Sequence, residues 1–379
     1  MHRDLIVFGE DWGGLPSSTQ HLMSHLSHDR KILWVNSIGL RQPHFSTADI
    51  QRAATKGLSF ARAVLTTKTP KNTTVNPNFQ VLNPITIPAP RSRLARKISG
   101  EVLLRQITPI IKKMELNNPA IWASLPTADD FTQQLPAMPT VYYCGDDFAG
   151  LNGVDHDTIS HHENDLVDQA QLIIAASEPL CQKFPSHKTQ LLSHGVDLGL
   201  FTQKANKALD LPNNGKPTAG FYGSLSEWLD QDLLDAVMQA NPDWNFVFIG
   251  EEHVDLSRLK THNNSYFLGP KAHEQLASYS QHWQVSLLPF KLNAQILACN
   301  PLKLKEYLAT GTPIISTDFP AVHCYSQHIE IATQVDEFNR ALTRQLTPNT
   351  NANSDRQIAV SQEAWQQKAA TVSEWLGAL

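Results

Sequence analysis

Lys303 and Glu306 are charged residues whose spacing could serve chemistry, because side chains three residues apart project from one face of a helix. Asn300 is a suitable helix N-cap, Pro301 suits the first helical position and Gly311 can take the left-handed position at the end, so a short helix is predicted. Lys303 near the positive N-terminus of this helix would suit a diphosphate. An ionised Glu306 could accept hydrogen bonds from two vicinal hydroxyls, and nucleoside diphosphates carry both groups.

The same pair also has a plain structural explanation. Lys and Glu at this spacing are common on exposed helix surfaces, where one pair contributes only about 0.2–0.5 kcal/mol. The two residues alone leave both explanations open.

A glycine pair, Gly13 and Gly14, follows an apolar run at residues 4–9 that predicts a buried parallel strand. Glycine lets the backbone approach a ligand closely, as the first Gly-rich loop does in many nucleotide and sugar sites. Because the pair is not a GxGxxG motif and adjacent glycines also form plain turns, it is a weak signal by itself.

Gly223 and Ser224 follow a second strand-like run at residues 218–222. Backbone N–H groups of such a loop can hold a diphosphate. No basic residue follows before Arg258, so Lys303 would have to supply more of the positive charge.

Asp146 and Asp147 end the predicted strand at residues 139–147. Carboxylates at the carboxyl edge of a parallel sheet lie where α/β proteins bind ligands, so these are candidate catalytic residues on the side of an acceptor hydroxyl. A metal site is not expected, because adjacent side chains on an extended strand point to opposite faces.

Residues 88–115 combine basic and apolar residues at roughly helical spacing, which predicts a basic amphipathic helix. Such a helix is either a solvated element packed on a sheet or a surface for an anionic membrane or a pyrophosphate-linked lipid acceptor. Its basic members are Arg91, Arg93, Arg96, Lys97, Arg105, Lys112 and Lys113.

Charge is distributed unevenly along the chain. Residues 1–115 contain 16 Lys and Arg against 7 Asp and Glu, and the remainder contains 15 against 29. The net charge is therefore +9 for residues 1–115 and −14 for the remainder. This difference favours an anionic surface or acceptor that the N-terminal part approaches. Nucleic acid is not an expected partner, because no nucleic-acid-binding motif accompanies the basic residues.

The length predicts two domains of about 150–200 residues each. Residues 204–217 are rich in Asn, Lys, Pro and Gly and lack apolar periodicity, which predicts a linker and hinge between residues 1–203 and 218–354, followed by a terminal helix at 355–379. Apolar runs alternate with helical patterns in both halves, which predicts α/β domains with parallel sheets. The runs lie at residues 4–9, 31–37, 79–88, 119–126, 139–147, 170–176, 218–222, 245–251, 266–270, 285–290 and 313–317.

No apolar run approaches the roughly 20 residues that span a bilayer, and the N-terminus lacks the three regions of a signal peptide. We therefore expect a cytoplasmic location, with contact at the inner face of the plasma membrane through the basic segment. The cysteines contain no CxxC pair, so neither a disulfide framework nor a zinc site is predicted. They are Cys144, Cys181, Cys299 and Cys324.

Residues 285–317 form a longer pattern: a strand ending in Pro-Phe, a loop, Asn-Pro, the Lys and Glu, Tyr-Leu-Ala, Gly-Thr-Pro and a strand. This pattern resembles the donor-binding segment of GT-B glycosyltransferases, especially the bacterial family 4 or group 1 enzymes of the teichuronic-acid and exopolysaccharide type. The run at residues 191–201 also resembles the N-G-V-D-x-x-x-F run that ends the first domain in that family, with His194 in place of Asn. The resemblance covers both halves of the chain.

The resemblance implies two Rossmann-like β/α/β domains that face each other across a cleft, with the terminal helix crossing back to the first domain. It also implies that Glu306 holds the donor ribose and that the base lies near Leu268. In many relatives a His occupies the strand end where this chain has its two aspartates. The expected nucleotide-binding residues are Gly13, Gly14, Gly223, Ser224, Leu268, Asn300, Lys303 and Glu306, and the expected catalytic residues are Asp146, Asp147 and Lys303.

We therefore expect a glycosyltransferase that moves a sugar from a nucleoside diphosphate donor, with a UDP-sugar favoured, to a saccharide or lipid-linked saccharide in cell-surface polysaccharide synthesis. The family likeness implies retention of configuration and no bound metal, and no separate cofactor is expected. One alternative is a GT-B nucleotide-sugar epimerase, which would need acid and base groups around the sugar. Another is a non-catalytic nucleotide-sugar binding subunit of a polysaccharide assembly complex, because Lys303 and Glu306 favour binding without implying turnover.

Overall fold

The computed structural model of the 379-residue chain describes residues 2–14, 16–37, 72–85, 93–135, 137–148, 156–347 and 350–379. Arg91 and most of the polar segment before the third predicted strand lie outside these ranges. The chain divides into two compact units, one of Met1–Ser193 with Lys368–Leu379 and the other of His194–Gln367. None of the described helices is long and apolar enough to cross a membrane.

The first unit contains one sheet, whose strands are β1 (Leu5–Phe8), β2 (Ile32–Val35), β3 (Asn72–Asn76), β4 (Phe79–Leu82), β5 (Ala120–Ala123), β6 (Thr140–Cys144), β7 (Leu172–Ala175) and β8 (Thr189–Leu191). They lie in the order β3-β4-β2-β1-β5-β6-β7-β8. Neighbouring strands are parallel except β3, which pairs antiparallel with β4. Strands β1, β2 and β5–β7 are buried along their length, as continuous apolar runs require.

The second unit contains a six-stranded, all-parallel sheet. Its strands are β9 (Thr218–Tyr222), β10 (Asn245–Ile249), β11 (Ser265–Phe267), β12 (Val285–Leu288), β13 (Ile314–Ser316) and β14 (Glu330–Ile331). Their order is β11-β10-β9-β12-β13-β14. This is the 3-2-1-4-5-6 order of dinucleotide-binding folds.

Helices connect the strands, as parallel neighbours require. The described helices are α1 (Ser18–Leu26), α2 (Arg93–Met114), α3 (Asp129–Thr132), α4 (His156–Gln169), α5 (Glu178–Cys181), α6 (Leu198–Thr202), α7 (Gln231–Ala240), α8 (Ser257–Lys260), α9 (Ala277–Ser280), α10 (Ala294–Ala298), α11 (Leu302–Thr310), α12 (Pro320–His323), α13 (Val335–Arg344), α14 (Thr350–Ala359) and α15 (Trp365–Ala378).

Every predicted apolar run contains a strand, which confirms the α/β prediction. The strands that the sequence does not predict are β3, β8 and β14, and each lies at the edge of its sheet. Edge strands are covered on fewer sides, so they need no continuous apolar run: β8 reads Thr-Gln-Leu and is largely exposed.

The predicted linker at residues 204–217 differs from the observed structure, because this segment is bonded to the second unit. Leu211 is buried in the core of that unit. Asp210 accepts hydrogen bonds from Lys271 Nζ and the Tyr279 hydroxyl, both at 2.7 Å. The unit boundary instead falls before His194. The composition of residues 204–217 indicated irregular backbone. This backbone is irregular, but hydrogen bonds of polar side chains such as Asp210 attach it to the second unit.

The terminal segment forms two helices where one was predicted, α14 and α15, separated at residues 360–364. Val372 and Leu376 of α15 are buried. Residues 368–379 group with the first unit.

Candidate functional site

In the second sheet β9 lies beside β12, and the strand order runs outward from this pair in opposite directions. At such a point the loops that follow the two central strands diverge and leave room for a ligand at the carboxyl edge of the sheet. The two loops begin here at Gly223 and Pro289. The predicted phosphate loop therefore lies at the switch point of the second sheet.

Helix α11 supplies the charged side chains of this site. Its residues Tyr307 and Leu308 are fully buried, and Gly311 ends the helix with a φ of 76°, as predicted. The predicted Asn300 cap is wrong, because Pro301 holds the N-cap position and no side chain caps the helix. The N–H groups of the first turn are thus left without a side-chain acceptor, which is the arrangement that favours an anion.

Lys303 lies in the first turn of α11 against two aromatic rings. Its Nζ is 5.2 Å from the ring centroid of Phe221 and 5.5 Å from that of Phe290. Among the described residues no side chain or carbonyl forms a hydrogen bond or ion pair with this ammonium group. Burial lowers the pKa of Lys303, although the charge of Glu306 acts in the opposite direction. A cation held by ring faces keeps its donors for an incoming anion.

Gly223 makes room for Lys303. Its φ is +132°, and a Cβ atom there would lie 2.7 Å from both Cε and Nζ of Lys303. Gly250, which follows β10, has a φ of +150°, and its Cβ would lie 1.9 Å from the carbonyl oxygen of Gly223. A larger residue at either position would displace the lysine or the loop backbone.

Ser224 follows this glycine in a loop, because α7 begins only at Gln231, capped by Asp230. Leu225 fixes the loop by donating its N–H to the Glu251 carbonyl oxygen at 2.8 Å. Within the described ranges neither the amide nor the hydroxyl of Ser224 forms a hydrogen bond. Both are therefore available as phosphate donors.

Glu306 lies one turn after Lys303 and is only 8% exposed. Its Oε1 is 3.1 Å from Nε2 of His273, whose ring packs edge-on against Phe201 at a centroid distance of 5.5 Å. Burial acts to lower the pKa of His273, but the hydrogen bond to Glu306 and its charge outweigh this and raise it. The sequence reasoning missed His273, since its only signal was a histidine shortly after the predicted base-binding run.

Leu268 and Asn300 stay predicted nucleotide-binding residues. Leu268 donates its amide N–H to the Phe248 carbonyl oxygen at 2.9 Å, so the backbone group that it can offer a base is its carbonyl. Asn300 is half-buried immediately before the Pro301 cap.

In the first unit, the loop after β1 contains Glu10 and the predicted Gly13 and Gly14. Gly13 has a φ of +83° in open space, since a Cβ there would meet nothing within 4 Å. The Oε1 atom of Glu10 is buried and has no hydrogen-bond partner in the described part of the chain. Burial raises the pKa of Glu10, and among the nearby charges that of Asp146 raises it most. The glycine loop and Asp146 therefore belong to one edge of the first sheet.

Asp146 and Asp147 have different surroundings. Asp147 Oδ1 is 2.6 Å from Lys183 Nζ, which also lies 3.7 Å from Glu163. Asp146 is exposed, and no ion pair to it occurs among the described residues. Although the residue as a whole is exposed, protein atoms around its carboxyl group desolvate that group. This desolvation, followed by the charge of Asp147, raises the pKa of Asp146 to about 6.

The basic segment forms helix α2, but Arg96 does not share the surface with the other basic residues. Its guanidinium group contacts Asp129, lies 2.6 Å from Asp130 and 3.2 Å from Asp165. The prediction that Arg96 faces a membrane is therefore wrong. The exposed residues of α2 include Leu94, Lys97, Ile98, Glu101, Arg105, Lys112 and Lys113, which we call the α2 basic face.

Asp129, Asp130 and His162 form one buried group, in the described residues, whose ligand atoms lie within 4.8 Å of one another and could hold a metal ion. Arg96 already contacts both aspartates. The positive charge that these carboxylates need is therefore present as a side chain.

Comparisons with known proteins show what the chain resembles. Residues 216–347 match the family described as Glycosyl transferases group 1. A Bacillus subtilis (strain 168) protein, TuaH, whose name assigns it to teichuronic acid biosynthesis as a glycosyltransferase, is 24% identical over 241 residues, or 58% of this chain. The match spans 60% of the length of that relative.

Solved structures resemble the chain over nearly its whole length. Sucrose-phosphate synthase from Thermosynechococcus elongatus has a TM-score of 0.71 at 14% identity and covers 99% of this chain and 98% of its own. Anabaena Alr3699/HepE in complex with UDP and glucose has a TM-score of 0.67 at 14% identity, covering 100% of both chains. An E. coli trehalose-6-phosphate protein bound with UDP-2-fluoro glucose has a TM-score of 0.69 at 12% identity, covering 99% of both.

The chain therefore has the GT-B fold that the sequence pattern predicted. Within that fold class, residues 216–347 of the second unit match the Glycosyl transferases group 1 family, and this stretch contains Gly223, Lys303 and Glu306.

Proposed function

We propose that the protein transfers a sugar from a nucleoside diphosphate donor, in the first instance a UDP-sugar, to a saccharide or lipid-linked saccharide in cell-surface polysaccharide synthesis. The observation that carries this proposal is the position of Lys303. A half-buried cation lies between two aromatic rings and a glycine loop, at the switch point of a parallel sheet, without an anionic partner in hydrogen-bond range among the described residues. A diphosphate supplies the charge and acceptors that this ammonium lacks.

Each group has a role in this scheme. The Ser224 amide, the uncapped first turn of α11 and Lys303 bind the diphosphate, and Glu306 accepts hydrogen bonds from the ribose hydroxyls. When the bond between the sugar and the diphosphate breaks, negative charge develops on the leaving oxygen, and these fixed donors stabilise it. The positive charge thus comes from the protein, so the proposed transfer needs no metal ion, and we include retention of configuration in the proposal.

The comparisons support the substrate class. Two of the similar structures are described with UDP or a UDP-sugar derivative, and the B. subtilis relative is named for the synthesis of a surface polysaccharide. Both features agree with a UDP-sugar donor and a surface-polysaccharide acceptor here.

On the acceptor side we assign Asp146 the contact with the reacting hydroxyl. Asp147 is already held by Lys183 at 2.6 Å. A carboxylate without an ion-pair partner keeps its acceptor oxygens for a ligand.

The α2 basic face supports contact with an anionic membrane, at the inner face of the plasma membrane. Leu94 and Ile98 are 71% and 39% exposed beside Lys97. Exposed apolar side chains next to basic residues combine insertion with attraction to acidic lipid headgroups.

A panel of nucleoside diphosphates and their sugar derivatives in a thermal-shift assay tests donor binding, because a ligand at 100 times its dissociation constant stabilises by about 2.7 kcal/mol. A nucleotide sugar that stabilises the protein is then incubated with the protein, with and without membrane extract. Nucleoside diphosphate release that depends on the extract supports transfer. Interconversion of the sugar without extract indicates an epimerase, and binding without turnover indicates a binding subunit. A protein that none of the nucleotides stabilises contradicts the proposal.

A further inference from the structure

The contact between His273 and Glu306 joins two elements of the second unit that are distant in sequence. His273 begins a short turn at His273–Gln275 after β11, whereas Glu306 lies in the middle of α11. Their side chains are 15% and 10% exposed, and Nε2 and Oε1 are 3.1 Å apart. A hydrogen bond to a largely buried carboxylate fixes the orientation of that carboxylate.

The charges around this contact come from several elements. Glu274 on its own turn and Asp197, the N-cap residue of α6, both act on His273 and favour its protonated form. Lys303 approaches Glu306 from the start of α11, and Tyr222 at the end of β9 is a buried neutral neighbour of Glu306. His273 is thus the group here whose ordinary pKa lies nearest to neutral pH.

We propose that His273 is a positioning residue for the donor site: it orients the Glu306 carboxylate toward the ribose, and its protonation sets the pH dependence of nucleotide-sugar binding. This inference rests on the proposed donor site and deepens it, because it names a residue that controls how tightly the same site holds its ligand.

The direction of the pH effect follows from charge. A nucleoside diphosphate sugar brings two negative charges to a site that already contains Glu306, and Lys303 offsets only one of them. A protonated His273 adds a second positive charge close to Glu306 and reduces the repulsion. The hydrogen bond to Glu306 raises the pKa of His273 in the folded protein. Binding is therefore tightest below that pKa and weakens as the pH rises through it.

A second histidine in the same unit offers a matched control. His262 Nε2 lies 2.7 Å from Asp235, and the two side chains are 18% and 31% exposed. His262 precedes β11 and so lies at the amino end of that strand, whereas the loop that contains His273 follows its carboxyl end. A change at His262 removes a similar pair without touching the donor site.

The experiment measures the dissociation constant of UDP-glucose by calorimetry from pH 6 to pH 9 in the wild type, His273→Gln, His273→Phe and His262→Gln. UDP-glucose is used because its diphosphate is an ester on both sides and does not itself titrate in this range. We expect wild-type affinity to fall about five- to tenfold across the range, as expected for a charge pair worth roughly 1 kcal/mol. His262→Gln should behave like the wild type.

His273→Gln keeps a side-chain N–H donor and loses the titration, so its affinity should stay close to the wild-type value at high pH and show no slope. His273→Phe should bind more weakly than His273→Gln at every pH. A wild type that binds with no slope, or a His273→Gln protein that keeps the wild-type slope, overturns the inference while leaving the donor site intact. A wild type that binds no nucleotide at all contradicts both.

A ligand-free measurement tests the pair directly. The Cε1–H resonance of His273, assigned through His273→Gln, should titrate at a higher pH in the wild type than in Glu306→Gln, because the carboxylate favours the imidazolium. An unchanged titration in Glu306→Gln shows that the two side chains are not coupled and overturns the inference.

Discussion

Arg96 and Lys303 are two cations that the sequence marked as contacts for an anion, and they have opposite surroundings. Arg96 contacts three aspartates of its own unit. Lys303 lies against the faces of Phe221 and Phe290, and in the described structure its ammonium group forms no ion pair or hydrogen bond. The comparison teaches that residue type and spacing do not decide the role of a charge. What decides it is whether the fold already supplies the opposite charge.

The same distinction separates the two adjacent carboxylates of the first unit. Asp147 is paired with Lys183, whereas Asp146 is not paired among the described residues. Both were predicted from the sequence as candidate catalytic residues. In the structure Asp146 resembles Lys303 in having no ion-pair partner among the described residues, and Asp147 resembles Arg96 in having one.

The largest expected effect is on stability, when the partner is removed from the buried aspartates. Arg96→Ala leaves Asp129 and Asp130, which are 0% and 4% exposed, without their guanidinium group. We expect a loss of about 3–5 kcal/mol in the unfolding free energy of the first unit. Lys97→Ala, one residue along on the exposed side, should change it by less than about 0.5 kcal/mol. Urea unfolding at pH 7.5 measures both.

The deficit of Arg96→Ala should shrink in acid. Burial raises the pKa of Asp130 to about 6 even with Arg96 present. When the pKa of a carboxyl group is higher in the folded than in the unfolded protein, the group favours the folded state most below its unfolded pKa. This contribution to stability is lost as the pH rises through the folded pKa. The variant should therefore be closest to the wild type near pH 4. Equal losses at pH 4 and pH 7.5 would show that Arg96 acts through packing and not through its charge.

A smaller effect is expected on turnover, and it sharpens the comparison of Asp146 with Asp147. If Asp146 accepts the proton of the acceptor hydroxyl, Asp146→Asn should lower kcat by about 100-fold or more with little change in donor affinity. Wild-type kcat should fall as the pH drops through about 6, because Asp146 is protonated below its pKa. Asp147→Asn should keep this fall of kcat at low pH, the acid limb of the profile. Initial rates from pH 5 to pH 8 decide the assignment, and loss of the acid limb in Asp147→Asn alone would reverse it.

The smallest effect per residue is expected at the α2 basic face. Replacing one basic residue of this face with Ser should weaken binding to anionic vesicles by about 1 kcal/mol. The residues to replace are Lys97, Arg105, Lys112 and Lys113. Co-sedimentation with vesicles of increasing acidic lipid content, at low and high salt, measures this. Binding that is indifferent to salt and to lipid charge would exclude the electrostatic contact.

Much of the architecture was predictable because it depends on local patterns. Continuous apolar runs located every central strand, and Gly311 marked the end of α11, since only a left-handed residue ends a helix in this way. The relation of Lys303 to Glu306 followed from their spacing. These features need no knowledge of distant residues.

The wrong or missing predictions depend on residues far away in sequence. The direction of Arg96 is set by aspartates 33 to 69 residues later, and the pairing of His273 with Glu306 spans 33 residues. The contacts of residues 204–217 were missed for the same reason, because Asp210 bonds to Lys271 and Tyr279, 61 and 69 residues away. A helical period identifies a face but does not identify what packs against it.

The central claim is that Lys303 and Glu306 hold the two halves of a nucleoside diphosphate. Calorimetry with UDP and with uridine, on the wild type, Lys303→Ala, Glu306→Gln and the distant control Lys216→Ala, tests it most directly. Lys303→Ala should weaken UDP by about 10- to 100-fold, or roughly 1.5–3 kcal/mol, and leave uridine nearly unchanged. Glu306→Gln should weaken both ligands alike, and Lys216→Ala neither. A folded Lys303→Ala protein that binds UDP as tightly as the wild type would contradict the account.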